Sequence, residues 1–299
     1  MTQDESATPE AGTTAGAGTT PDAGPSAAAP GPVAVVGGGV MGATLVGAVL
    51  AGGLAPGDVR VAERSAARVA ELVAAHGVQG TADNVAAVTD AAVVLLAVKP
   101  DVVAPVLDEI APHLAPGALV VSVAAGVPLA AYESRLPAGT PVVRVMPNTP
   151  ALIGRGASAI AAGTAAGERH LALAERLLAA TGLVVRVAEK DLDAVTAISG
   201  SGPAYAFYVI DAMAEAGVLL GLPRDLATRL AVATVEGSAA LVRESGDHPV
   251  VLRERVSSPG GTTVAAVRQL DVHGVRAGVL AAAEAARDRS RALGAAYGA

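Results

Sequence analysis

The sequence predicts an α/β domain with a mainly parallel, doubly wound sheet, followed by an all-helical domain. From Pro32 onward, short unbroken apolar runs alternate with helical patterns, as expected for strands that are buried on both faces. After Asp191 the strand-like runs stop, and only helical patterns follow. The length of 299 residues is sufficient for two hydrophobic cores. We therefore expect right-handed β–α–β crossovers within 31–190 and helices alone within 191–299.

The expected elements of the α/β domain follow one another along the chain. Its strands are the runs PVAVV, DVRVAE, VVLLAV, ALVVSV and PVVRVM, with ASAIAA and LVVRVA as further strand-like segments. Helices are expected from Val40, over SAARVAELVAAHG, from Asp101, and over GERHLALAERLLAAT. In the helical domain, the breaks are SGSGP, GLP, GDHP and SSPGG. Residues 1–30 contain almost only Ala, Gly, Thr, Pro, Ser and a few acids, so we expect a disordered tail.

Composition excludes several classes of function. Lys and Arg number 21 against 28 Asp and Glu, and the resulting net charge of −7 has the wrong sign for a nucleic-acid partner. Cysteine is absent, which excludes disulfides, thiolate nucleophiles and iron–sulfur clusters. The five histidines are not spaced as a metal-binding or catalytic pair, so no metal is expected.

One uncharged stretch raises the question of a membrane span. No charged residue occurs between Asp22 and Asp58, but many glycines interrupt this stretch and its apolar run Val33–Val36 has only the length of a strand. The first residues, MTQDESATPE, have neither the basic nor the apolar region of a secretory signal. We therefore expect a cytoplasmic protein without a membrane partner.

The first functional motif is GGGVMG, directly after the first strand. Gly37, Gly39 and Gly42 have the G-x-G-x-x-G spacing of a dinucleotide-binding turn, and a helix follows. In such a turn one glycine makes the bend, the next lets the pyrophosphate approach the backbone, and the third lets helix and strand pack closely. The helix N-terminus then faces the anion. The motif predicts a Rossmann-type domain.

Two features beside the second strand give opposite indications of the cofactor. Glu63 lies 21 residues after Gly42, where an acid would accept the ribose 2′-hydroxyl of NAD. Arg64 and Ser65 follow at once, and an Arg beside a Ser at a helix start suits the 2′-phosphate of NADP. Ser65 is equally suited to be an ordinary N-cap, and Arg64 to be a solvated charge. We expect NADPH, with NADH as the alternative.

Polar residues follow three further strands where each strand ends. LAVKPD has Lys99 and Pro100 at such an end, SVAAG begins with Ser122 at a second, and VRVMPNTP has Asn148 between two prolines at a third. Ligands of open α/β sheets bind beyond the carboxyl ends of the strands. These residues therefore predict further contacts with the cofactor.

The most specific motif, RVSSPGGTTVAAVRQLD, lies in the helical domain. Ser258 is expected to be the N-cap of a helix that has a proline at its first position. Two glycines would leave backbone N–H groups accessible beside two threonine hydroxyls, a combination that suits a small carboxylate. A helix start without a ligand would have the same sequence. The candidate substrate-binding residues are Ser258, Gly260, Gly261, Thr262 and Thr263.

Together these motifs resemble those of the 1-pyrroline-5-carboxylate reductase family, which completes proline biosynthesis. GGGVMG, TADN, LAVKP, SVAAGV, RVMPNTP, DLDAVTAISGSGPAY and VSSPGGTTVAAVRQLD follow the family's order over about residues 32–295. The resemblance implies NAD(P)H-dependent reduction of 1-pyrroline-5-carboxylate, a cyclic imine, to L-proline. It also implies a helical domain that forms homodimers, often assembled into larger rings such as decamers. Substrate would then lie between one subunit's cofactor and the partner's helices.

The resemblance also implies roles for individual residues. Thr263 would form a hydrogen bond with the imine nitrogen. Members of the family often have Asn in place of Val40, and many use a Glu where Gly246 lies here, so that role stays unassigned. The residues implied to contact the cofactor are Gly37, Gly39, Val40, Met41, Gly42, Asn84, Ala97, Val98, Lys99, Pro100 and Asn148.

Two other functions share part of this pattern. A β-hydroxyacid dehydrogenase would have a similar fold, but such enzymes commonly use a Lys of the second domain, and no lysine follows Lys190. A non-catalytic dinucleotide-binding protein would not require the SSPGGTT motif. The sequence therefore favours the reductase.

Overall fold

The computed structural model of the chain describes residues 31–297, so the predicted disordered tail, 1–30, lies outside the described residues. Within the described part, a single sheet has eight strands in the order β3-β2-β1-β4-β5-β6-β7-β8. The strands are Val33–Val36 (β1), Val59–Ala62 (β2), Gln79–Thr81 (β3), Val93–Leu96 (β4), Leu119–Ser122 (β5), Val142–Met146 (β6), Gly156–Ala162 (β7) and Gly182–Arg186 (β8).

The first six strands pair in parallel, and their order reverses beside β1 as in a doubly wound sheet. The seventh strand is antiparallel to β6, and β8 is parallel to β7. The predicted Rossmann-type, mainly parallel sheet is confirmed. The sequence prediction missed β3, whose residues Gln, Gly and Thr contain no apolar run.

Helices cover both faces of the sheet and then continue alone. After β8 the described part of the chain contains no further strand, as predicted. The helices are Val40–Ala51 (α1), Ala66–His76 (α2), Asn84–Val88 (α3), Val103–Ile110 (α4), Leu129–Glu133 (α5), Glu168–Leu178 (α6), Leu192–Val195 (α7), Gly202–Leu219 (α8), Arg224–Ser245 (α9), Pro249–Arg255 (α10), Thr262–Val272 (α11) and Val275–Ala295 (α12).

The core has two layers, one on each face of the sheet. Val33 and Val35 of β1 pack with α1, α2 and α6, whereas Ala34 and Val36 face α3, α4 and α5. All four side chains are buried, which explains why the strand has an unbroken apolar run. The helix expected from Asp101 begins at Val103, because a 3-10 turn precedes it.

Two side chains, Glu189 and Asn148, connect the sheet to the segment that follows β8. The Glu189 carboxylate accepts hydrogen bonds from the buried Arg144 guanidinium of β6 at 3.0 Å and from the backbone N–H of Leu129 at 2.6 Å. The Asn148 side chain donates to the carbonyl of Ser199 at 3.0 Å, within a π-helical turn between α7 and α8. The region around residue 190 is therefore fixed to the sheet by side chains.

Candidate active site

The glycine motif forms a tight turn between β1 and α1, and its three glycines have different surroundings. Gly37 has a φ of +100°, and a Cβ there would lie 2.8 Å from the carbonyl oxygen of Ala97. A Cβ at Gly42 would lie 1.8 Å from the carbonyl oxygen of Gly37. A Cβ at Gly39 would meet no described atom within 4 Å. Two glycines are thus required for packing, and the third leaves open space.

Gly39 is also the N-cap of α1, and no described side chain caps this helix. Its first N–H groups therefore remain available to a ligand, and the positive end of the helix dipole favours an anion. This combination of an uncapped helix start and open space above a glycine suits a pyrophosphate.

A cavity of about 520 Å³ lies beyond the carboxyl ends of β1, β2 and β4. Its size is within the range of small-molecule sites, and it contains eight of the predicted cofactor-binding residues. These are Gly37, Gly39, Glu63, Arg64, Asn84, Ala97, Val98 and Lys99.

The charged groups of the cavity differ in how they are paired. The Glu63 carboxylate accepts the backbone N–H groups of Gly38 at 2.9 Å and Ser65 at 3.1 Å. The Asn84 side chain donates to Glu109 at 2.8 Å. Neither Arg64 nor Lys99 forms an ion pair with another described residue, so both cations are available to an anionic ligand.

The sequence prediction missed the contribution of the helix beyond β4. The sequence spacing of Val102, Val106 and Glu109 could have indicated this contribution, because it brings the three residues to one side of the 3-10 turn and α4. The lining residues that the prediction did not include are Ala62, Asp101, Val102, Pro105, Val106 and Glu109.

Six predicted cofactor-binding residues do not line this cavity. Val40 is exposed on the first turn of α1, Met41 packs against the core, and Gly42 lies behind the turn. Ser65 is the N-cap of α2, because its hydroxyl accepts the Arg68 N–H at 3.3 Å. Pro100 begins the 3-10 turn before α4. The sixth residue, Asn148, lies at the end of β6.

Two polar strand ends are occupied by contacts within the protein. Asn148 accepts the Ala157 N–H at 2.8 Å, in addition to its bond to Ser199. Ser122 shares a buried 2.7 Å hydrogen bond with the Tyr132 hydroxyl, and burial raises the pKa of Tyr132 to about 12. Ser122 therefore belongs to the core, and Asn148 connects β6, β7 and the π-helical turn.

The SSPGGTT motif lies at the start of α11, which packs against α12. The prediction that Ser258 is the N-cap is wrong: the helix begins at Thr262 with Gly261 as the N-cap. The N–H of Gly261 donates to the carbonyl of Ser258 at 2.9 Å, so these residues close a turn before the helix starts. None of the described residues 258–263 lines the cavity, although Ser258, Gly260 and Thr262 are exposed.

Residues 31–297 contain no cluster of His, Asp and Glu that could hold a metal ion. Over the same range, no helix is both long and apolar enough to cross a membrane.

The fold and the glycine-lined cavity define a Rossmann-type, dinucleotide-binding class of protein. Two family models match the chain: "NADP oxidoreductase coenzyme F420-dependent" over residues 32–126, and "Pyrroline-5-carboxylate reductase dimerisation" over residues 189–293. The two matches correspond to the first part of the sheet and to the helices after it.

Relatives named pyrroline-5-carboxylate reductase match most of the chain. The protein from Corynebacterium melassecola is 48% identical over 88% of this chain and 98% of its own length. A solved structure of a pyrroline-5-carboxylate reductase from Coxiella burnetii has a TM-score of 0.84 at 35% identity, covering 89% of this chain and 99% of that one. The NADP-bound enzyme from Plasmodium falciparum has a TM-score of 0.78 at 28% identity, covering 88% and 98%. The chain belongs to the pyrroline-5-carboxylate reductase family.

The different surroundings of two glycines lead to a paired prediction. Gly39→Asp should leave thermal stability unchanged or raise it, because Asp is a good N-cap and the position is open. The same variant should weaken NADPH binding by about tenfold or more, because the new carboxylate repels the pyrophosphate. Binding is measured by fluorescence titration.

The matched variant, Gly42→Ala, should instead destabilise the fold by about 3 kcal/mol, because its Cβ overlaps the Gly37 carbonyl. Chemical denaturation measures this loss. Equal effects of the two changes on stability would contradict the different roles of these glycines.

Proposed function

We propose that this chain catalyses the NAD(P)H-dependent reduction of 1-pyrroline-5-carboxylate to L-proline, the last step of proline biosynthesis. The observation that carries this proposal is the glycine-lined cavity at the carboxyl ends of the strands, in a chain of the reductase family. Retention of an SSPGGTT motif supports a catalytic protein rather than a binding protein alone. The lack of any lysine after Lys190 disfavours a β-hydroxyacid dehydrogenase.

The residues around the cavity fit the parts of a nicotinamide dinucleotide. The open backbone at Gly39 and the uncapped start of α1 would hold the pyrophosphate. Asn84, Ala97, Val98 and Lys99 line the adjoining walls. When bound, the reduced nicotinamide supplies the hydride that is added to the imine carbon.

The chain's own residues would then bind and orient the substrate. The backbone of the exposed Gly260 suits the substrate carboxylate, with Ser258, Thr262 and the half-buried Gly261 beside it. Thr263, in the first turn of α11, is the residue that we expect to form a hydrogen bond with the imine nitrogen. An iminium ion is already electrophilic, so alignment and exclusion of water contribute more than a strong general base.

We further propose that a second copy of the chain completes each active site. None of the described residues 258–263 lines the cavity of its own chain, which supports a substrate motif supplied by the partner. The helices α8–α12 leave many large apolar side chains exposed, among them Phe207, Tyr208, Leu219 and Leu230. Such a surface favours self-association as a homodimer, which could assemble further into a ring such as a decamer.

The cofactor that we propose is NADPH, with NADH as a weaker alternative. Both carboxylate oxygens of Glu63 accept backbone N–H groups, whereas Arg64 lines the cavity without a described ion pair. A guanidinium in this position suits a 2′-phosphate. The NADP-bound relative from Plasmodium falciparum gives independent support.

The proposed activity is tested with purified protein, 1-pyrroline-5-carboxylate and either NADPH or NADH. Oxidation of the nicotinamide and formation of proline are followed together, and no proline with either cofactor would exclude the proposal. Thr263→Ala should slow reduction by roughly 10- to 100-fold, because one hydrogen bond to a charged nitrogen is lost. NADPH affinity should be unchanged, and Thr263→Ser, which keeps the hydroxyl, should retain most of the rate.

The shared active site leads to a complementation test. Gly39→Asp impairs the cofactor half of the site and Thr263→Ala impairs the substrate half. At an NADPH concentration near the wild-type dissociation constant, each homodimer should therefore keep about a fifth of the wild-type rate or less. Purified mixed dimers should regain about half of the wild-type rate, because each mixed dimer has one intact site of two. Rates are measured on dimers carrying two different affinity tags. Purified mixed dimers without recovered activity would show that each chain uses its own motif.

The cofactor preference is tested with Arg64→Ala. The change should raise the dissociation constant for NADPH by about tenfold and leave that for NADH nearly unchanged, because only NADPH has the 2′-phosphate. Arg243→Ala, which removes an exposed arginine of α9, is the matched control and should change neither value. An equal loss for both cofactors would contradict the role of Arg64.

A further inference from the structure

The middle glycine of the turn, Gly38, is held on both sides by residues that follow β2. Its N–H donates to the Glu63 carboxylate at 2.9 Å. Its carbonyl oxygen accepts a hydrogen bond from Nε of Arg68 at 2.8 Å. Glu63 directly follows β2, and Arg68 lies in the first turn of α2. The two peptide groups of Gly38 are therefore both fixed by charged side chains.

The space around Gly38 also permits no side chain. A Cβ would lie 2.8 Å from Cδ1 of Leu72 and 2.9 Å from Cβ of Glu63. The G-x-G-x-x-G spacing leaves this position free, so the dinucleotide motif does not explain its glycine. Close approach of Glu63 and Leu72 explains it.

Glu63 and Arg68 are themselves held in place. The second carboxylate oxygen of Glu63 accepts the Ser65 N–H at 3.1 Å, and Arg68 pairs with Glu71 at 2.8 Å. Ser65 in turn caps the helix through the N–H of Arg68. The contacts form a connected network from α2 to the glycine turn, which limits the freedom of each side chain.

We propose that Glu63 and Arg68 are positioning residues that fix the pyrophosphate turn, and that Glu63 does not act as the acceptor for the ribose 2′-hydroxyl. Holding Gly38 fixes the peptide planes that lead to Gly37 and Gly39, the two glycines that line the cavity. A turn that is already ordered loses less conformational entropy when the pyrophosphate binds. The inference rests on the proposed binding of a nicotinamide dinucleotide.

This role predicts an unusual pattern of cofactor affinity. The pyrophosphate is common to NADPH and NADH, so loss of the network lowers the affinity for both cofactors to the same extent. Removal of a ribose acceptor gives a different pattern. It weakens the binding of NADH, and it strengthens the binding of NADPH because the 2′-phosphate is no longer repelled. The ratio of the two dissociation constants therefore distinguishes the two roles.

The experiment measures dissociation constants for NADPH and NADH by fluorescence, without substrate. Glu63→Ala is expected to raise both by about tenfold, and Arg68→Leu to do the same. Glu63→Gln keeps an oxygen that can accept the Gly38 N–H, so it should recover most of the affinity. Glu244→Gln is the control, because this exposed residue of α9 contacts neither Gly38 nor Glu63 nor Arg68, and both constants should stay within about twofold.

The affinity for a fragment of NADPH distinguishes a local effect at the turn from misfolding of the whole domain. Adenosine 2′-monophosphate lacks the pyrophosphate, so its affinity should be the same in wild-type protein and Glu63→Ala. Loss of NADH binding alone, tighter binding of NADPH, or unchanged binding of both would overturn the proposal. If wild-type protein binds NADPH but forms no proline, only the proposed activity fails, because this test does not require turnover.

Discussion

The close packing of α1 against the end of β1 is the constraint on which the rest of the site depends. Gly42 lies so near the carbonyl of Gly37 that even a methyl group would overlap it. Gly37 in turn donates its N–H to Ala62 of β2 at 2.9 Å and lies against Ala97, directly after β4. Three neighbouring strands therefore meet at one turn. Their contacts determine where the start of α1 points and where the cavity opens.

The cavity is favourable for an anion although it contains acids as well as bases. Glu63, Asp101 and Glu109 all lie on its walls. Backbone N–H groups hold Glu63, the Asn84 amide holds Glu109, and Asp101 lies in the first turn of the 3-10 helix, where the positive end of the dipole favours a carboxylate. Hydrogen bonds from the protein disperse part of the negative charge of both glutamates. Arg64 and Lys99 have no such partner among the described residues, so their charges remain directed at a ligand.

The sequence was sufficient where structure depends on local spacing. The glycine turn and the buried strands involve residues that are near one another in the chain, whereas the sequence left Ser65 open between an N-cap and a cofactor contact. Asn148 was less predictable, because its side chain bonds Ser199, 51 residues away, and only the fold brings the two together. The Ser258 cap was wrongly predicted because a turn to Gly261 closes first. The residues of α4 that line the cavity could not be predicted, because the sequence alone does not show which face of this helix lies against the cavity.

The helices after β8 also affect how the fold responds to dilution. Across α8–α12 the buried residues are only Ala214, Ala227, Ala231 and Ser290, all with small side chains. Five helices that bury so little within one chain gain little hydrophobic free energy by themselves. The homodimer that we propose would bury their exposed apolar side chains, and association follows mass action. We therefore expect the melting temperature of the helices after β8 to depend on protein concentration, whereas the sheet has its own two-layered core.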